Sequence, residues 1–370
     1  MSNTQELAQK VEAARAAYYN ATPLMSDAGF DALEEELRKL DPDHWLLKVV
    51  GAPPGDAGWP KVRHSIPMGS LNKAQVYQEM AKWSQALGNQ ELFLTEKLDG
   101  ISVSLRYLDG HFRQAITRGD GLIGEDITRN VSLMKGVVPT LGKSPFDPFK
   151  EWSGHLRGEI VCFKSDHVKY FPGESNPRNT ASGTAKRQAN PEKCQHLTVL
   201  VYQVLPDSGT LPTTKQEELA LARAMGFTTP HHAICPDLTR VENIYQRYVA
   251  TAREKLDYDI DGLVLEVNSV SKAEDLGLLN GRPKGAIAYK FPHDQKETIL
   301  VDVIWQVGNS GRITPVAVFE PVDLAGAKVT RASLHNVKRF NELQLTRGCR
   351  ILVSRRNDVI PAVEANLSIS

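Results

Sequence analysis

The stretch from Leu92 to Arg118, LFLTEKLDGISVSLRYLDGHFRQAITR, decides how this chain is read. Three runs within it, Leu92 to Lys97, Ile101 to Leu108 and Phe112 to Arg118, alternate in character as strands do. The last two are joined at Asp109-Gly110, a pair that tolerates the positive φ angles of a tight hairpin. The first run leads into Lys97-Leu98-Asp99-Gly100, which alone describes a surface lysine before a turn as well as a reactive one. Further strands are expected at His155 to Phe163, Leu197 to Val204 and Gly262 to Val267. Helices are expected from an Asn72 cap through Leu87, and near Lys215 to Met225 and Val241 to Lys255. Together these describe an α+β domain.

On the N-terminal side, apolar residues recur at helical spacing from Leu7 to Tyr19 and from Phe30 to Leu40, which predicts a helical hairpin. The Gly- and Pro-rich GAPPGDAGWP at 51–60 reads as a linker. On the C-terminal side, VDVIWQV, ITPVAVFEPV, RILVS and DVIPAV are short β-rich runs between turn residues, as in a small barrel. The expected architecture is α+β and multidomain: helical over 1–60, α+β over 61–293 and all-β over 294–370. A chain of 370 residues exceeds what one compact core usually holds.

Composition narrows the class. An apolar fraction of 41% with 24% charged residues is ordinary globular usage and excludes a disordered or fibrous chain. No apolar run approaches the roughly 18–20 residues needed to cross a bilayer, so no membrane partner is expected. The N-terminus has no apolar stretch of the signal-peptide kind. Cys162, Cys194, Cys235 and Cys349 lie far apart without CxxC or HExxH patterns, so reduced thiols in the cytoplasm are expected and zinc is not. Lys plus Arg equals Asp plus Glu at 44 each, yet the balance is uneven along the chain. Residues 1–60 carry five cations against ten acids, whereas 328–356 carry eight cations against Glu342 alone. The basic stretch is interleaved with apolar residues, as on a folded surface facing nucleic-acid phosphate; a merely solvated charged face is the alternative.

Along nearly its whole length the sequence resembles the bacterial and phage-type NAD+-dependent DNA ligases. The resemblance is carried by YYNATPLMSDAGFDAL, HSIPMGSLNKA, EKLDGISVSLRY, TRGDGLIGEDITRNV, LRGEI, NPRNTASGTAKRQ, DYDIDGLVLEV, GAIAYKFP, QVGNSGRITPVAVFEPV, ASLHN and RRNDVIPAV. It implies a helical domain for the nicotinamide mononucleotide half, a nucleotidyltransferase (ATP-grasp-like) domain and a C-terminal OB-fold. It also implies a nucleophile, Lys97, that attacks the α-phosphorus of NAD+, keeps AMP in a phosphoramidate and passes it to the 5′-phosphate of nicked duplex DNA. A lysine attacks only as the free amine, which neighbouring cations such as Lys290 and a bound Mg2+ (or Mn2+) favour.

By the same resemblance Asp99, Arg118, Glu159 and Lys290 accompany the nucleophile. Tyr18, Tyr19, Asp27, Phe30 and Asp31 fall in the N-terminal cofactor motif. Thr95, Glu96, Leu98, Arg118, Glu159, Tyr202, Arg253, Glu266 and Lys290 complete the expected cofactor set, with Tyr202 stacked on adenine. Arg178, Lys186, Arg312, Arg331, Arg355 and Arg356 are the expected DNA contacts, and Glu159, Asp261 and Glu266 the expected metal ligands. Rivals are an RNA ligase or capping-type nucleotidyltransferase and a non-ligating nucleic-acid-binding relative.

Several positions depart from the family pattern. Thr95 replaces an acid that would receive the adenine amino group, and Glu96 next to it points to the opposite strand face. Tyr19 and Phe30 stand where His and Tyr are common, and Asn357 replaces a usual Gly. Glu266 stands where a lysine usually faces phosphate; it is expected either to turn away or to bind Mg2+. The family's zinc module, helix-hairpin-helix repeats and BRCT domain have no counterpart here, so weak nick binding by this chain alone is expected. A second subunit or missing C-terminal domains would complete the grip.

Overall fold

The computed structural model describes residues 3–20, 27–42, 44–48, 58–142, 147–209, 212–279, 281–292, 295–307, 313–324, 327–334, 336–356 and 360–368. Two compact units emerge: Lys48–Phe291, and Met1–Leu47 with Pro292–Ser370.

The Lys48–Phe291 unit is built on two larger sheets, with two-stranded ribbons Lys61–Arg63 with Ile123–Glu125 and Leu278–Leu279 with Arg282–Pro283 beside them. The first runs in the order Asn72–Ala74, Ala286–Lys290, Ile260–Val267, Leu92–Leu98, His232–Cys235. The second runs His111–Thr117, Ile101–Leu108, Gly154–Cys162, Leu197–Pro206. Alternation along Leu92–Leu98 sets what each face of the first sheet meets. Leu92, Leu94 and Leu98 pack with Leu263, Leu265, Ile287 and Tyr289 against Met80 of helix Tyr77–Ala86 and Val241, Ile244 and Tyr245 of helix Leu238–Arg247. Phe93, Thr95 and Lys97 stand on the other face. The second sheet has its own core around Leu105, Tyr107, Leu156, Val199 and Phe227.

Gly100 is where the chain leaves the Lys97 strand for the second sheet. A Cβ there would stand 2.1 Å from the Ile160 carbonyl oxygen and 3.1 Å from Glu159 Cγ, so only glycine lets the two backbones meet. The hairpin at Asp109-Gly110 has the expected left-handed pair, φ 48° and 70°. Asn72, expected as a helix cap, is instead in a strand that pairs in parallel with Ile287, and the helix begins at Tyr77. The helix expected through Lys255 ends at Arg247 and continues as a wide π turn, Tyr248–Ala252, and a tight one, Arg253–Lys255.

In the other unit, helices Asn3–Asn20 and Asp27–Leu40 pack through Val11, Ala14, Phe30 and Leu37, with Leu46 and Leu47 of the short helix Trp45–Lys48. Buried Arg15 pairs with Glu34 and donates to the Leu46 carbonyl at 2.6 Å. The expected barrel is present and closed, in the order Gln295–Val307, Ile313–Leu324, Ala327–Ser333, Ile360–Asn366, Arg350–Arg356. Leu300, Ala317, Phe319, Ile351 and Val353 fill it. The strand Ala327–Ser333 was not among the runs expected from the sequence. No described helix is long and apolar enough to cross a membrane.

Gly100→Ala must push backbone against backbone. It is expected to cost about 3 kcal/mol, and so to lower the melting temperature by roughly 6–12 °C in a domain of this size. Calorimetry or circular-dichroism melting checks this, and an unchanged melting temperature would contradict the close approach.

Candidate active site

Strand register brings the site together. Lys97 lies opposite Gly262, which lies opposite Lys290 on the next strand, so the two lysines flank a residue with no side chain. The register of the Ile260–Val267 strand shifts between Ile260 and Gly262, and the bulge turns Asp261 towards both lysines. Lys97 Nζ lies 3.0 Å from Asp261 Oδ1, and Lys290 Nζ donates to Oδ2 at 2.6 Å. Burial opposes charge on Asp261, yet Lys290 and then Lys97 hold its carboxyl well below the ordinary range.

Neighbouring residues come from the second sheet and the helix Pro177–Ala185. Asp99 takes an ion pair from Arg178 at 3.1 Å, and its own N–H donates to the Asp259 carbonyl. Glu159 lies across the ladder from Ser102 and accepts that hydroxyl at 2.8 Å. Burial pushes the Glu159 carboxyl up to about 7, against the Ser102 hydrogen bond and the pull of Lys97, Arg118 and Arg178. Tyr202 stands beside Glu159; burial and then that carboxylate push its hydroxyl up to about 12, so it stays neutral. Four cations, Lys97, Lys290, Arg118 and Arg178, thus surround three carboxyls, Asp99, Asp261 and Glu159. Such a cationic excess on partly buried side chains suits a phosphate-bearing ligand.

Two family-model matches cover most of the chain: residues 56–294 match the NAD-dependent DNA ligase adenylation domain and 297–368 the NAD-dependent DNA ligase OB-fold domain. The chain belongs to the NAD-dependent DNA ligase family. Similar curated proteins named DNA ligase include that of Sorangium cellulosum, 43% identical over 97% of this chain and 56% of that protein. Those of Treponema denticola (39%, covering 94% and 54%) and Treponema pallidum (37%, covering 98% and 44%) are also similar. The chain spans about half the length of the curated relatives it matches.

Seen against the ligase pattern, several expected residues are elsewhere. Glu96 is fully buried on the helix-covered face, where the hydroxyls of Tyr248 and Tyr258 and the backbone N–H of His231 donate to it. Leu98 is core on that same face. Neither stands with Lys97, because strand neighbours alternate. Arg253 lies over the Phe291 ring at 5.6 Å, one residue beyond Lys290. Phe30 is buried between the N-terminal helices with the Arg15 guanidinium 5.5 Å over its ring, so its surface is spent on that core. Tyr18 and Tyr19 lie in the first helix and Asp27 and Asp31 in the second, but their side chains are outside the described residues, as is Asn357.

The expected metal ligands do not converge. Asp261 is held by two lysines, Glu159 is bonded to Ser102, and among the described residues no group of three metal-ligating side chains gathers. Glu266 neither turns away nor joins a metal cluster. It stands on the Lys97 face, two rows along, and its cation is Lys215 at 3.3 Å. Lys215 opens the helix Lys215–Ala224 and also reaches Glu218 at 3.1 Å. Burial works against its charge, but Glu266 and Glu218 hold it above the ordinary lysine range.

Of the expected DNA contacts, Arg178 belongs to the Lys97 cluster, and Lys186 is tied to buried Glu125 at 2.8 Å. Arg331 is exposed on the barrel, Arg312 is outside the described residues, and the side chains of Arg355 and Arg356 are not described. Part of the basic C-terminal charge is offset by acids outside that window: Arg350 pairs with Glu297 and Arg347 with Asp302. Sequence reading missed Ser102 and Lys215. Ser102 could have been found as the cross-strand partner of Glu159; nothing local marks Lys215.

The raised Glu159 carboxyl gives a pH signature. The folded state holds its proton more tightly than the unfolded chain, so its contribution to stability is full below about 4.5 and is lost as pH rises through about 7. Relative to Glu159→Gln, the native protein is expected to lose up to about 3 kcal/mol over that window. Urea unfolding of both proteins at pH 5 and pH 8 measures it; a pH-independent gap would contradict the shift.

Proposed function

We propose that this chain transfers the adenylyl group of NAD+ to Lys97 and that, with the remaining parts of a full-length ligase, the adenylate serves to seal nicks in duplex DNA. The single observation that carries the reading is the Asp261 carboxylate shared by Lys97 and Lys290. In the proposed step Lys97, an ammonium in its ion pair with Asp261, first releases a proton to solvent; the freed Nζ lone pair attacks the α-phosphorus, a nitrogen–phosphorus bond forms, and the nitrogen sheds a second proton to solvent. The phosphorus–oxygen bond to nicotinamide mononucleotide breaks, and that fragment leaves with the bonding electrons. Asp261 aims the amine and remains ionised, while Lys290 and Arg178 meet the phosphate charge as the group transfers.

Glu159 would hold a ribose hydroxyl beside the phosphate, and Asp99, anchored by Arg178, would fix the strand end. Tyr202 would stack on the base, and the helical N-terminal segment would hold the leaving half. Mg2+ would then be carried chiefly by the dinucleotide phosphates, because the protein carboxyls are separately engaged. Duplex DNA would be held through backbone phosphates by exposed barrel cations such as Lys328, Arg331 and Lys338.

Intact-mass measurement after incubation with NAD+ and Mg2+, on protein first treated with nicotinamide mononucleotide to strip any AMP, tests the reading. A one-AMP gain is expected from NAD+, none from ATP, and none with Lys97→Ala. Absence of any gain in the stripped native protein would favour a non-catalytic nucleic-acid-binding role.

A further inference from the structure

Three cross-strand rows line the Lys97 face of the first sheet. Lys97, Gly262 and Lys290 form one; Thr95, Val264 and Ala288 the next; Phe93, Glu266 and Ala286 the third. Same-face residues on a strand are about 7 Å apart, so the third row lies about 13 Å from the first. The middle row is short: buried Thr95, Val264 and buried Ala288 offer a low, largely apolar floor on which a flat ring can lie. A nucleoside tethered by its phosphate at Lys97 would cross that floor and bring the far edge of its base to the third row. What waits there is polar. Glu266 holds the Lys215 ammonium at 3.3 Å, and Lys215 is tied to Glu218 at 3.1 Å. Glu218 in turn accepts the Val204 N–H of the second sheet at 2.8 Å. Phe93, 2% exposed and 5.5 Å from the His232 ring, closes the row.

Two carboxylates share one ammonium, so the cluster carries one more acceptor charge than donor charge. Lys215 is immobilised from both sides, with its side chain only 13% exposed, whereas Glu266 at 25% retains an accessible carboxylate edge. A donor and an acceptor thus stand side by side at a fixed spacing. Adenine presents the complement, a 6-amino donor beside a ring-nitrogen acceptor. We infer that Glu266 and Lys215 read the base of the adenylate: Glu266 receives the 6-amino group and Lys215 donates to the adjoining ring nitrogen, while Glu218 positions Lys215. This rests on the adenylyl-transfer reading and adds to it the residues that set base specificity, a role that Thr95 cannot fill because its side chain is short and buried in the floor.

The test compares NAD+ with nicotinamide hypoxanthine dinucleotide, in which an oxo group replaces the 6-amino group. Rates of Lys97 adenylylation are followed by intact mass over a range of dinucleotide concentrations. An oxo group loses a charge-assisted hydrogen bond and turns an acceptor towards a carboxylate, so native protein is expected to favour NAD+ by about 10- to 200-fold in kcat/KM. In Glu266→Gln, whose amide can also donate, the preference is expected to fall to within about threefold of unity, chiefly through KM; Glu266→Ala should do the same. Native protein that uses both dinucleotides equally overturns the assignment before any variant is made. A preference that survives in a folded Glu266 variant overturns it as well. If neither dinucleotide adenylylates native protein, the adenylyl-transfer reading itself fails, an outcome distinct from equal use of the two.

Discussion

One carboxylate between two ammonium groups organises the Lys48–Phe291 unit. Asp261 reaches that place only because its strand carries a bulge, and the glycine after it leaves room for Lys97 and Lys290 to approach from the strands on either side. Desolvating a carboxylate is costly unless it is paired, and here two cations more than offset the cost. Because each lysine satisfies the same acceptor, neither is free to wander. The amine and a second positive charge are therefore presented together, the kind of preorganisation on which the proposed phosphoryl transfer would draw.

The rest of the cleft distributes its charges in separate pairs. Asp99 with Arg178, Glu159 with Ser102 and Glu266 with Lys215 each have a local partner, while Lys97 and Arg178 also act on Glu159 and Lys215 is shared by Glu266 and Glu218. The different environments give these acids different characters. Asp261 is locked in its ionised form by its lysines, while burial makes Glu159 a group that changes charge near neutrality.

Much of this was legible in the sequence, and the limits are physical. Alternation along the strand set Glu96 on the face opposite Thr95 without any structure, because strand periodicity is a local property; the same alternation makes Leu98, expected among the cofactor residues, part of the core. The barrel runs were visible for the same reason, although AKVTRAS, short and half polar, was not. Asn72 misled because asparagine favours helix caps, and a parallel partner at Ile287 overrode that preference. The pairs that build the cluster were out of reach. Lys215 and Glu266 lie 51 residues apart, and Lys97 and Asp261 are separated by 164. Only the fold can say that a cation missing from one strand is supplied by the start of a distant helix. Lys186, a DNA contact by resemblance, has its partner Glu125 in a distant strand that the local motif could not reveal.

The knot that holds Glu96 has a consequence for how the chain finds its fold. Tyr248, Tyr258 and His231 all converge on the side chain immediately before Lys97. If the Lys97 strand slipped by one residue, Glu96 would lose these donors and Lys97 would be driven into the apolar layer beneath the helices, leaving an ammonium buried without a counterpart. The pair of neighbours thus acts as a key cut on both edges: one side fits only the interior, the other only the cleft. A misregistered sheet is penalised twice for the same error, so the position of the Lys97 amine is guarded by residues on the opposite face of its own strand.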